Sequence, residues 1–278
     1  MVLTTEALPA LPLRDFISSY CLREIDTNGT DLVKAIHAID QSFMTFWISK
    51  TPLLYTTGKG VENLNIKERQ LLCIPSRFQG YQTYNGRYSF FSVNLKANGF
   101  YRIFNVPMQL LSDSVVNSDD VIGKEVSFLQ EQLEESANLQ EMKAAADAFF
   151  LSKLIRNTTS GTGDRITAAA LAINASPESL NVRQLASSVN MSLRALEQHF
   201  LAQVGMPPKL YARVSRFMRA MGMKMSDANI HWTTIAHSCG YFDQMHLVKD
   251  FKAFTGQSPR AFMQGSPPPA ELFGPVLE

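Results

Sequence analysis

The chain has 278 residues, of which 45% are hydrophobic and 18% charged, and its formal net charge is +1. This composition is typical of a globular protein with room for two domains and excludes a fibrous or disordered chain. The sequence contains no apolar run of about eighteen residues and does not begin with a basic region followed by an apolar stretch. We therefore expect neither a membrane span nor a secretory signal. Three widely spaced cysteines predict no disulfide framework, and we expect a cytoplasmic protein.

The first part of the chain, to about residue 120, has the pattern of β structure. Short segments rich in β-branched and aromatic residues predict strands at residues 42–49, 70–74 and 88–95. Asn85-Gly86 predicts a tight turn, because both residues tolerate a positive φ. Short strands separated by turns are typical of a barrel or jelly-roll-like domain.

Helical spacing begins near residue 123 and predicts helices at 124–135 and 137–156, whose apolar faces either cover the β domain or form a dimer seam. The small polar segment 157–164 predicts a linker. The expected fold class is α+β. A β-rich barrel or jelly-roll-like domain with flanking helices occupies residues 1–156, an all-α domain with two helix-turn-helix motifs occupies residues 165–264, and a loose tail follows at 265–278.

The charge of the chain is unevenly distributed. Residues 165–264 contain eleven basic and five acidic side chains, a net charge of +6, which leaves −5 for the rest of the chain. A basic segment on a nearly neutral chain favours a polyanionic partner at that end.

Residues 180–200 have the pattern of a helix-turn-helix. Two short apolar helical faces are separated by Asn190-Met191, and Ser192 is a strong N-cap for the second helix. The second helix of such a motif enters the DNA major groove. Its outward residues are predicted to contact bases, because arginine pairs with guanine, glutamine with adenine, and glutamate with cytosine N4. These residues are Arg194, Glu197 and Gln198.

The pattern recurs at residues 233–254. Gly240 ends the first helix of this motif and Asp243 caps the second. The outward residues predicted to contact DNA are Gln244, Met245, His246, Lys249 and Lys252. Between the motifs, residues 207–225 predict a long helix carrying Arg213, Arg216 and Arg219, which could hold the two motifs at a fixed spacing.

Residues 165–264 resemble the AraC/XylS family of transcription regulators. The most specific segment, GYFDQMHLVKDFKAFTGQSP at residues 240–259, is similar to the family signature in the second motif, and the first motif matches more loosely. The resemblance implies that Arg194, Glu197, Gln198, Gln244, Met245 and Lys249 face the groove. Lys249 departs from the usual arginine, and Glu197 and Asp250 are expected to place acidic groups beside the duplex. Residues 1–156 resemble the family's sensor domains weakly, which implies small-molecule sensing or dimerisation.

The predicted partner is double-stranded DNA, and RNA polymerase, a small-molecule effector and a second copy of the chain are further candidates. No cofactor, metal or membrane is expected. Phosphate contacts are predicted for Arg183, Arg213, Arg216 and Lys252. Candidates for lining a ligand cavity are Trp47, Tyr55, Phe78, Tyr81 and Tyr84, although such aromatic residues are more often ordinary β-domain core.

Two alternatives stay open. The first is a cupin-like, metal-dependent enzyme fused to a DNA-binding module. The second is a regulator without a ligand, controlled by its abundance or by a partner protein. The sequence has no glycine-rich phosphate loop, Ser-His-Asp arrangement or paired-carboxylate motif, so we expect no catalysis. His37 has no second histidine or carboxylate at metal-ligand spacing, so we expect no metal site there.

Overall fold

The structure is a computed structural model. It describes residues 1–57, 60–64, 70–73, 75–156 and 161–265, with the backbone alone for residues 57, 60–64, 70–73, 155 and 156. The predicted α+β class is confirmed, with a β-rich N-terminal part and a helical C-terminal part. Within the described residues the strands are β1 (Val2–Ala7), β2 (Ile17–Asp26), β3 (Leu32–Ile36), β4 (Ser42–Trp47), β5 (Leu53–Thr57), β6 (Gly60–Leu64), β7 (Gln70–Cys73), β8 (Gly80–Tyr84), β9 (Arg87–Leu95) and β10 (Val115–Asn117).

These strands form two antiparallel sheets. The larger has the order β1-β2-β9-β4-β7-β10 and the smaller has the order β3-β8-β5-β6. The described strands therefore form a two-layered, jelly-roll-like arrangement. Asn85-Gly86 does form a turn, with Gly86 at φ +122°, but it carries the chain from β8 in one sheet to β9 in the other. The strand predicted at 70–74 is β7, and its last residue, Ile74, lies outside the described residues.

The larger sheet has two chemically different faces, because successive side chains of a strand point to opposite sides. In β9, Phe91, Val93 and Leu95 are fully buried in the core that the sheet shares with the helices. The residues between them, Ser92 and Asn94, point into the space between the two sheets, where they line a cavity. This alternation separates the apolar anchor of the domain from the side chains that line the cavity.

The apolar faces of the flanking helices cover the outer side of the larger sheet. Val126, Leu129, Leu133, Met142 and Phe150 are all 5% exposed or less and belong to one core with the sheet. These faces therefore pack inside the domain. The helices are α1 (Gly99–Phe104), α2 (Ser118–Ile122), α3 (Glu125–Glu135) and α4 (Leu139–Arg156).

The C-terminal part is helical and has a core of its own. Its largest buried side chains include Phe200, Tyr211, Phe217 and Phe251, each 1% exposed or less. The helices are α5 (Thr162–Ala175), α6 (Val182–Ser188), α7 (Leu193–Val204), α8 (Pro208–Ser226), α9 (Trp232–Ser238), α10 (Gln244–Thr255) and α11 (Pro259–Gln264). No helix in the described part of the chain has both the length and the apolar composition needed to cross a membrane.

The segment predicted as a linker, residues 157–164, falls between α4 and α5. Residues 157–160 lie outside the described residues, and α5 begins at Thr162, so the last part of the segment is helical. The predicted tail is outside the described residues from residue 266 onward.

The β domain contacts the helical domain at several points. The Asn98 side chain donates to Gln203 Oε1 at 3.1 Å, and Ser112 Oγ donates to the carbonyl of Gly205 at 2.5 Å. On the other side, the backbone N–H of Ala38 donates to the carbonyl of Phe254 at 3.0 Å. Ala38 is fully buried and belongs to the core cluster of the helical domain. The two parts are therefore joined by main-chain as well as side-chain contacts.

Candidate nucleic-acid interface

The first helix-turn-helix unit consists of α6, a short turn and α7. The Asn181 side chain caps α6 by accepting from the backbone N–H groups of Arg183 and Gln184 at 3.1 and 3.2 Å. Asn190 takes a left-handed conformation in the turn, with φ +53°. Ser192 then caps α7 by accepting from the N–H of Ala195 at 3.2 Å. The caps satisfy backbone donors that a helix start leaves free, which fixes where each helix begins.

The second unit, α9 and α10, repeats this geometry. Gly240 holds the left-handed position, with φ +67°, and the N–H of Tyr241 donates to the carbonyl of Ala236 at 2.9 Å. The corresponding bond in the first unit runs from Met191 to Ala186, also at 2.9 Å. Asp243 caps α10 by accepting from the N–H of His246 at 2.7 Å.

The two turns differ in length by one residue. In the first unit one residue, Met191, separates the left-handed position from the N-cap. In the second unit two residues, Tyr241 and Phe242, lie between Gly240 and Asp243. Tyr241 is buried and Phe242 is 88% exposed. The additional residue in the second turn therefore projects away from the core. The sequence analysis did not single out Phe242, because this residue belongs to no apolar helical face.

The outward residues predicted for α7 and α10 lie mostly at the surface. Arg194, Glu197 and Gln198 are exposed on α7. On α10, Gln244, Met245 and Lys249 are exposed, and His246 is half-buried against the ring of Tyr241, at a centroid distance of 5.2 Å. His246 is therefore less accessible than its neighbours on the same turn.

Asp250 does not lie beside the duplex face, and the expectation that it does was wrong. Its side chain is 3% exposed, and Oδ1 accepts from Arg213 of α8 at 2.7 Å. The reason is the helical period, since Asp250 lies three residues after Leu247 and four before Phe254 and so shares their buried face of α10. The ion pair ties the second recognition helix to the connecting helix.

Arg213 and Arg216, both predicted to contact phosphate, have partners inside the protein. Arg213 pairs with Asp250 and lies over the ring of Phe254 at 5.4 Å. Arg216 donates to the carbonyl of Pro177 at 3.2 Å and lies over the ring of Tyr241 at 5.2 Å. Because Pro177 precedes the first unit and Tyr241 belongs to the second, Arg216 links the segment before the first unit to the second unit.

The connecting helix α8 spans 19 residues and begins with Pro208, as the sequence predicts. At 1.5 Å per residue it is about 28 Å long. The predicted phosphate ligands outside it, Arg183 on α6 and Lys252 on α10, are exposed. The helical domain therefore presents exposed positive groups on both units.

A cavity of about 240 Å³ lies between the two sheets. Trp47 and Tyr84, two of the five predicted cavity residues, line it. Phe78 and Tyr81 lie elsewhere, because their loop and strand face the helical domain. The Tyr81 hydroxyl accepts from Gln257 at 3.1 Å, and the Phe78 ring packs against Gly256. Tyr55 is buried but is not among the lining residues.

The cavity contains charged groups that the sequence analysis did not single out. Arg23 and Lys34 both line it, and burial together with the charge of Arg23 lowers the pKa of Lys34. Burial raises the pKa of the Cys21 thiol to about 12 and that of Asp40 to about 6. The alternation of β2, which places Cys21 and Arg23 on the same face, was the available signal for these residues. Met218 of α8 also lines the cavity, so the cavity extends to the connecting helix.

Among the described residues, no group of three or more histidine, cysteine, aspartate and glutamate side chains is arranged to hold a metal ion. His37 is buried and packs its ring against Phe217 and Phe262, at centroid distances of 6.2 and 6.4 Å. Its Nδ1 lies 2.8 Å from the carbonyl oxygen of Ala38. His37 is therefore part of the contact between the two domains.

Comparison with known proteins supports the assignment of the helical domain. The family model described as "Helix-turn-helix domain" matches residues 185–265. The HTH-type transcriptional activator RhaS of Pectobacterium carotovorum is 30% identical over 131 residues, which cover 44% of this chain and 46% of the relative. RhaS of Pectobacterium atrosepticum is 29% identical over 131 residues with the same coverage. The chain thus spans about half the length of the curated relatives it matches.

The solved structures similar to the whole chain include ToxT of Vibrio cholerae O395. It has 10% identity and a TM-score of 0.48, and the match covers 95% of this chain and all of that one. Unsaturated fatty acid bound ToxT from Vibrio cholerae strain SCE256 has 12% identity and a TM-score of 0.49, with 93% and 96% covered.

The helical domain combines two capped helix-turn-helix units, a connecting helix and the segment Gly-Tyr-Phe-Asp that leads to Ser258-Pro259. The matched family model and the aligned relatives agree with that arrangement. The helical domain is therefore similar to the DNA-binding domain of the AraC/XylS family of transcription regulators.

Proposed function

We propose that the chain is a transcription regulator that recognises a specific double-stranded DNA sequence through residues 165–264. The observation that carries the proposal is the presence of two capped recognition helices with exposed outward residues, joined by one helix within a segment of net charge +6. Two curated relatives are named transcriptional activators, which favours activation.

Base readout would come from the exposed polar residues of the recognition helices. Arg194 suits guanine, Gln198 and Gln244 suit adenine, and Glu197 suits cytosine N4. Phosphate contacts would come from residues that keep their charge at the surface, Arg183, Lys249 and Lys252. Arg213 and Arg216 already bind protein groups, so we assign them the internal role of holding the second unit against the connecting helix and the segment before the first unit.

The test is binding of the full chain to randomised duplex DNA, with enrichment and sequencing of the bound fraction, followed by titration of the enriched duplex. One sequence should be enriched, and the combined substitution of Arg194 and Gln244 by alanine should relax its preference. Lys252→Ala should lower the salt dependence of binding by about one phosphate contact. Lys124→Ala, an exposed lysine of the β domain, is the matched control and should leave that dependence unchanged. Enrichment of no sequence would overturn the proposal.

For the β domain we propose a small organic anion as the ligand of the cavity between the sheets. Three strands of the larger sheet direct small polar side chains inward, where a β sandwich ordinarily packs large apolar ones. Ser19 and Ser92 are examples. Arg23 and Lys34 add two cationic groups, which outnumber the carboxyl group of Asp40 in the same lining, and Trp47 offers an aromatic wall. An anion with an apolar part would match this lining, because it would reduce the repulsion between the two cations.

Thermal denaturation of the full chain with a panel of small carboxylates and phosphates, each beside its neutral amide or alcohol, tests this ligand class. A ligand at 100 times its dissociation constant stabilises by about 2.7 kcal/mol, a shift of about 5 °C or more. Arg23→Gln should abolish the shift, and Arg87→Gln, whose side chain is 88% exposed at the surface, should keep it. Equal shifts with the neutral compounds would rule out an anion site.

Cytoplasmic location, contact with RNA polymerase and self-association complete the proposed picture. Sedimentation of the full chain, with and without the enriched duplex, measures the oligomeric state directly. A mass of one chain per duplex would exclude a role for a dimer in DNA binding.

A further inference from the structure

The surface of the second helix-turn-helix unit carries two large apolar side chains at the start of its recognition helix. Phe242 is 88% exposed and Met245 is 70% exposed. They flank the N-cap Asp243, whose carboxylate is occupied by the N–H of His246. Polar groups surround them, since Gln244 and Lys249 are also exposed. Exposed apolar side chains that occur together within a polar rim mark a contact surface.

We propose that Phe242 and Met245 recognise the C5-methyl groups of thymine in the major groove. The inference rests on the DNA-binding function proposed above and gives the second unit a specific readout. The thymine methyl is the apolar group that base pairs present in the major groove, and aromatic or aliphatic side chains are its partners. The N-terminal turn of a recognition helix is the part that lies nearest the base edges.

The first unit shows that this apolar surface is peculiar to the second. When the two N-caps are superposed, Arg194 occupies the position of Met245, and Gln198 occupies that of Lys249. In the same alignment Met191 occupies the position of Phe242, but it is half-buried and packs against the core of the helical domain, whereas Phe242 is exposed. The first unit therefore presents hydrogen-bonding groups where the second presents apolar ones, and the two units read different chemistry.

Exposure also excludes a structural role for either side chain. The core of the second unit is formed by Ile235, Leu247 and Phe251, each 1% exposed or less. The aromatic position of the turn that packs inward is filled by Tyr241, at 4% exposed. Because Phe242 is not needed for packing, its substitution leaves the fold intact and its effect on DNA binding can be measured cleanly.

The test starts from the duplex enriched by the full chain. Each thymine in the half-site of the second unit is replaced singly by deoxyuridine, which removes only the C5-methyl group. We expect the wild-type chain to lose about 4-fold in affinity at one or two of these positions, the factor for one buried methyl group. Deoxyuridine in the half-site of the first unit should have a smaller effect.

At one of the positions where deoxyuridine weakens binding of the wild-type chain, Phe242→Ala should bind the thymine and deoxyuridine duplexes with equal affinity. Met245→Ala should do the same at one of these positions. Arg194→Ala should bind the duplex more weakly but should lose affinity on deoxyuridine replacement by the same factor as the wild-type chain. Phe128→Ala removes an equally bulky side chain, 67% exposed on α3, and is the matched control. Thermal melting checks that each variant is folded.

Two outcomes overturn the inference while leaving the proposed function in place. One is a wild-type chain that binds every deoxyuridine duplex as tightly as the thymine duplex. The other is a Phe242→Ala, Met245→Ala double variant whose affinity falls on deoxyuridine replacement by as much as that of the wild-type chain. Failure to enrich any sequence would instead overturn the proposed DNA-binding function, and this inference with it.

Discussion

The carboxylate of Asp250 lies in the helical domain with Arg213 as its cationic partner. Its Oδ2 has no hydrogen-bond partner among the described residues, so the pair depends on the bond at Oδ1. We expect Arg213→Ala to lower the free energy of unfolding by about 2 kcal/mol, because it leaves a buried charge without its partner. The figure is reduced from that for fully buried pairs because the Arg213 side chain is 46% exposed. Urea denaturation measures the change.

The double variant Arg213→Met, Asp250→Leu is the control for this pair, since it removes both charges and keeps apolar volume. It should recover most of the lost stability. Lys249→Ala, which removes an exposed charge one residue away, should leave stability unchanged within about 0.5 kcal/mol. Unchanged stability of Arg213→Ala, together with weaker DNA binding, would return Arg213 to the role of a phosphate ligand.

Asp40 provides a test by pH. Burial raises the pKa of its carboxyl from 3.8 to about 6, while a hydrogen bond from Ser215 acts in the opposite direction. The folded state therefore holds this proton more tightly than the unfolded state. The stability contributed by Asp40 is full below pH 4 and is lost as the pH rises to about 6. Asp40→Asn should gain about 1–2 kcal/mol over the wild type at pH 7.5 and nothing at pH 4.

The comparison between Asp40→Asn and the wild type is needed because His37 lies nearby and acts in the opposite sense. Burial lowers the pKa of His37, so its contribution to stability falls as the pH drops through 6.5. His37 is present in both proteins, and the difference between their unfolding curves isolates Asp40. A constant difference from pH 4 to pH 7.5 would contradict the assigned pKa.

At the scale of the elements, both recognition helices end on a glycine that touches the β domain. Gly205 ends α7 at φ +87°, and an added Cβ would lie 2.5 Å from Ser112 Oγ. Gly256 ends α10 at φ +73°, and its Cβ would lie 2.8 Å from the Phe78 ring. The β domain thus contacts the C-terminal ends of the two recognition helices, and their N-terminal turns point away from it.

Alanine at either glycine should destabilise the chain by more than the left-handed conformation alone explains. Gly29 is the matched control, with φ +79° and no atom within 4 Å of an added Cβ. Gly29→Ala should cost about 1 kcal/mol, and Gly205→Ala and Gly256→Ala about 1–3 kcal/mol more, because of the clash with the β domain. Equal losses at the three sites by urea denaturation would show that the contacts between the domains are loose.

The helices were the most predictable elements. Helical spacing predicted 124–135 and 137–156, and the structure has α3 (Glu125–Glu135) and α4 (Leu139–Arg156). Both N-caps of the recognition helices, Ser192 and Asp243, were identified because capping is a local property. The distribution of the strands between two sheets could not be predicted, because β pairing joins residues that are far apart in the sequence. The burial of Asp250 was missed for the same reason, since Arg213 lies 37 residues away.

At the scale of the whole molecule, the two domains are expected to unfold together. The segment between β3 and β4 places Ala38 in the core of the helical domain, and its N–H donates to Phe254. The same segment supplies Asp40 to the lining of the cavity. Contacts inside both cores couple their stabilities.

We expect one cooperative transition for the wild-type chain in calorimetry and two for Ala38→Asp, which places a charge in a fully buried position. Ala172→Asp is the control, because Ala172 is an exposed alanine of α5, and it should keep a single transition. Two transitions in the wild type would show that the domains fold independently.

The alternation of the inner strands has a consequence for the evolution of this protein. Ser92 and Asn94 of β9 face the cavity, and each is flanked by residues of the core that anchors the helices, Phe91, Val93 and Leu95. A substitution at Ser92 or Asn94 therefore alters the lining and leaves the anchor in place. Single replacements at these alternate positions can therefore change the cavity lining at little cost in foldability. The same property makes the domain a suitable starting point for an engineered biosensor.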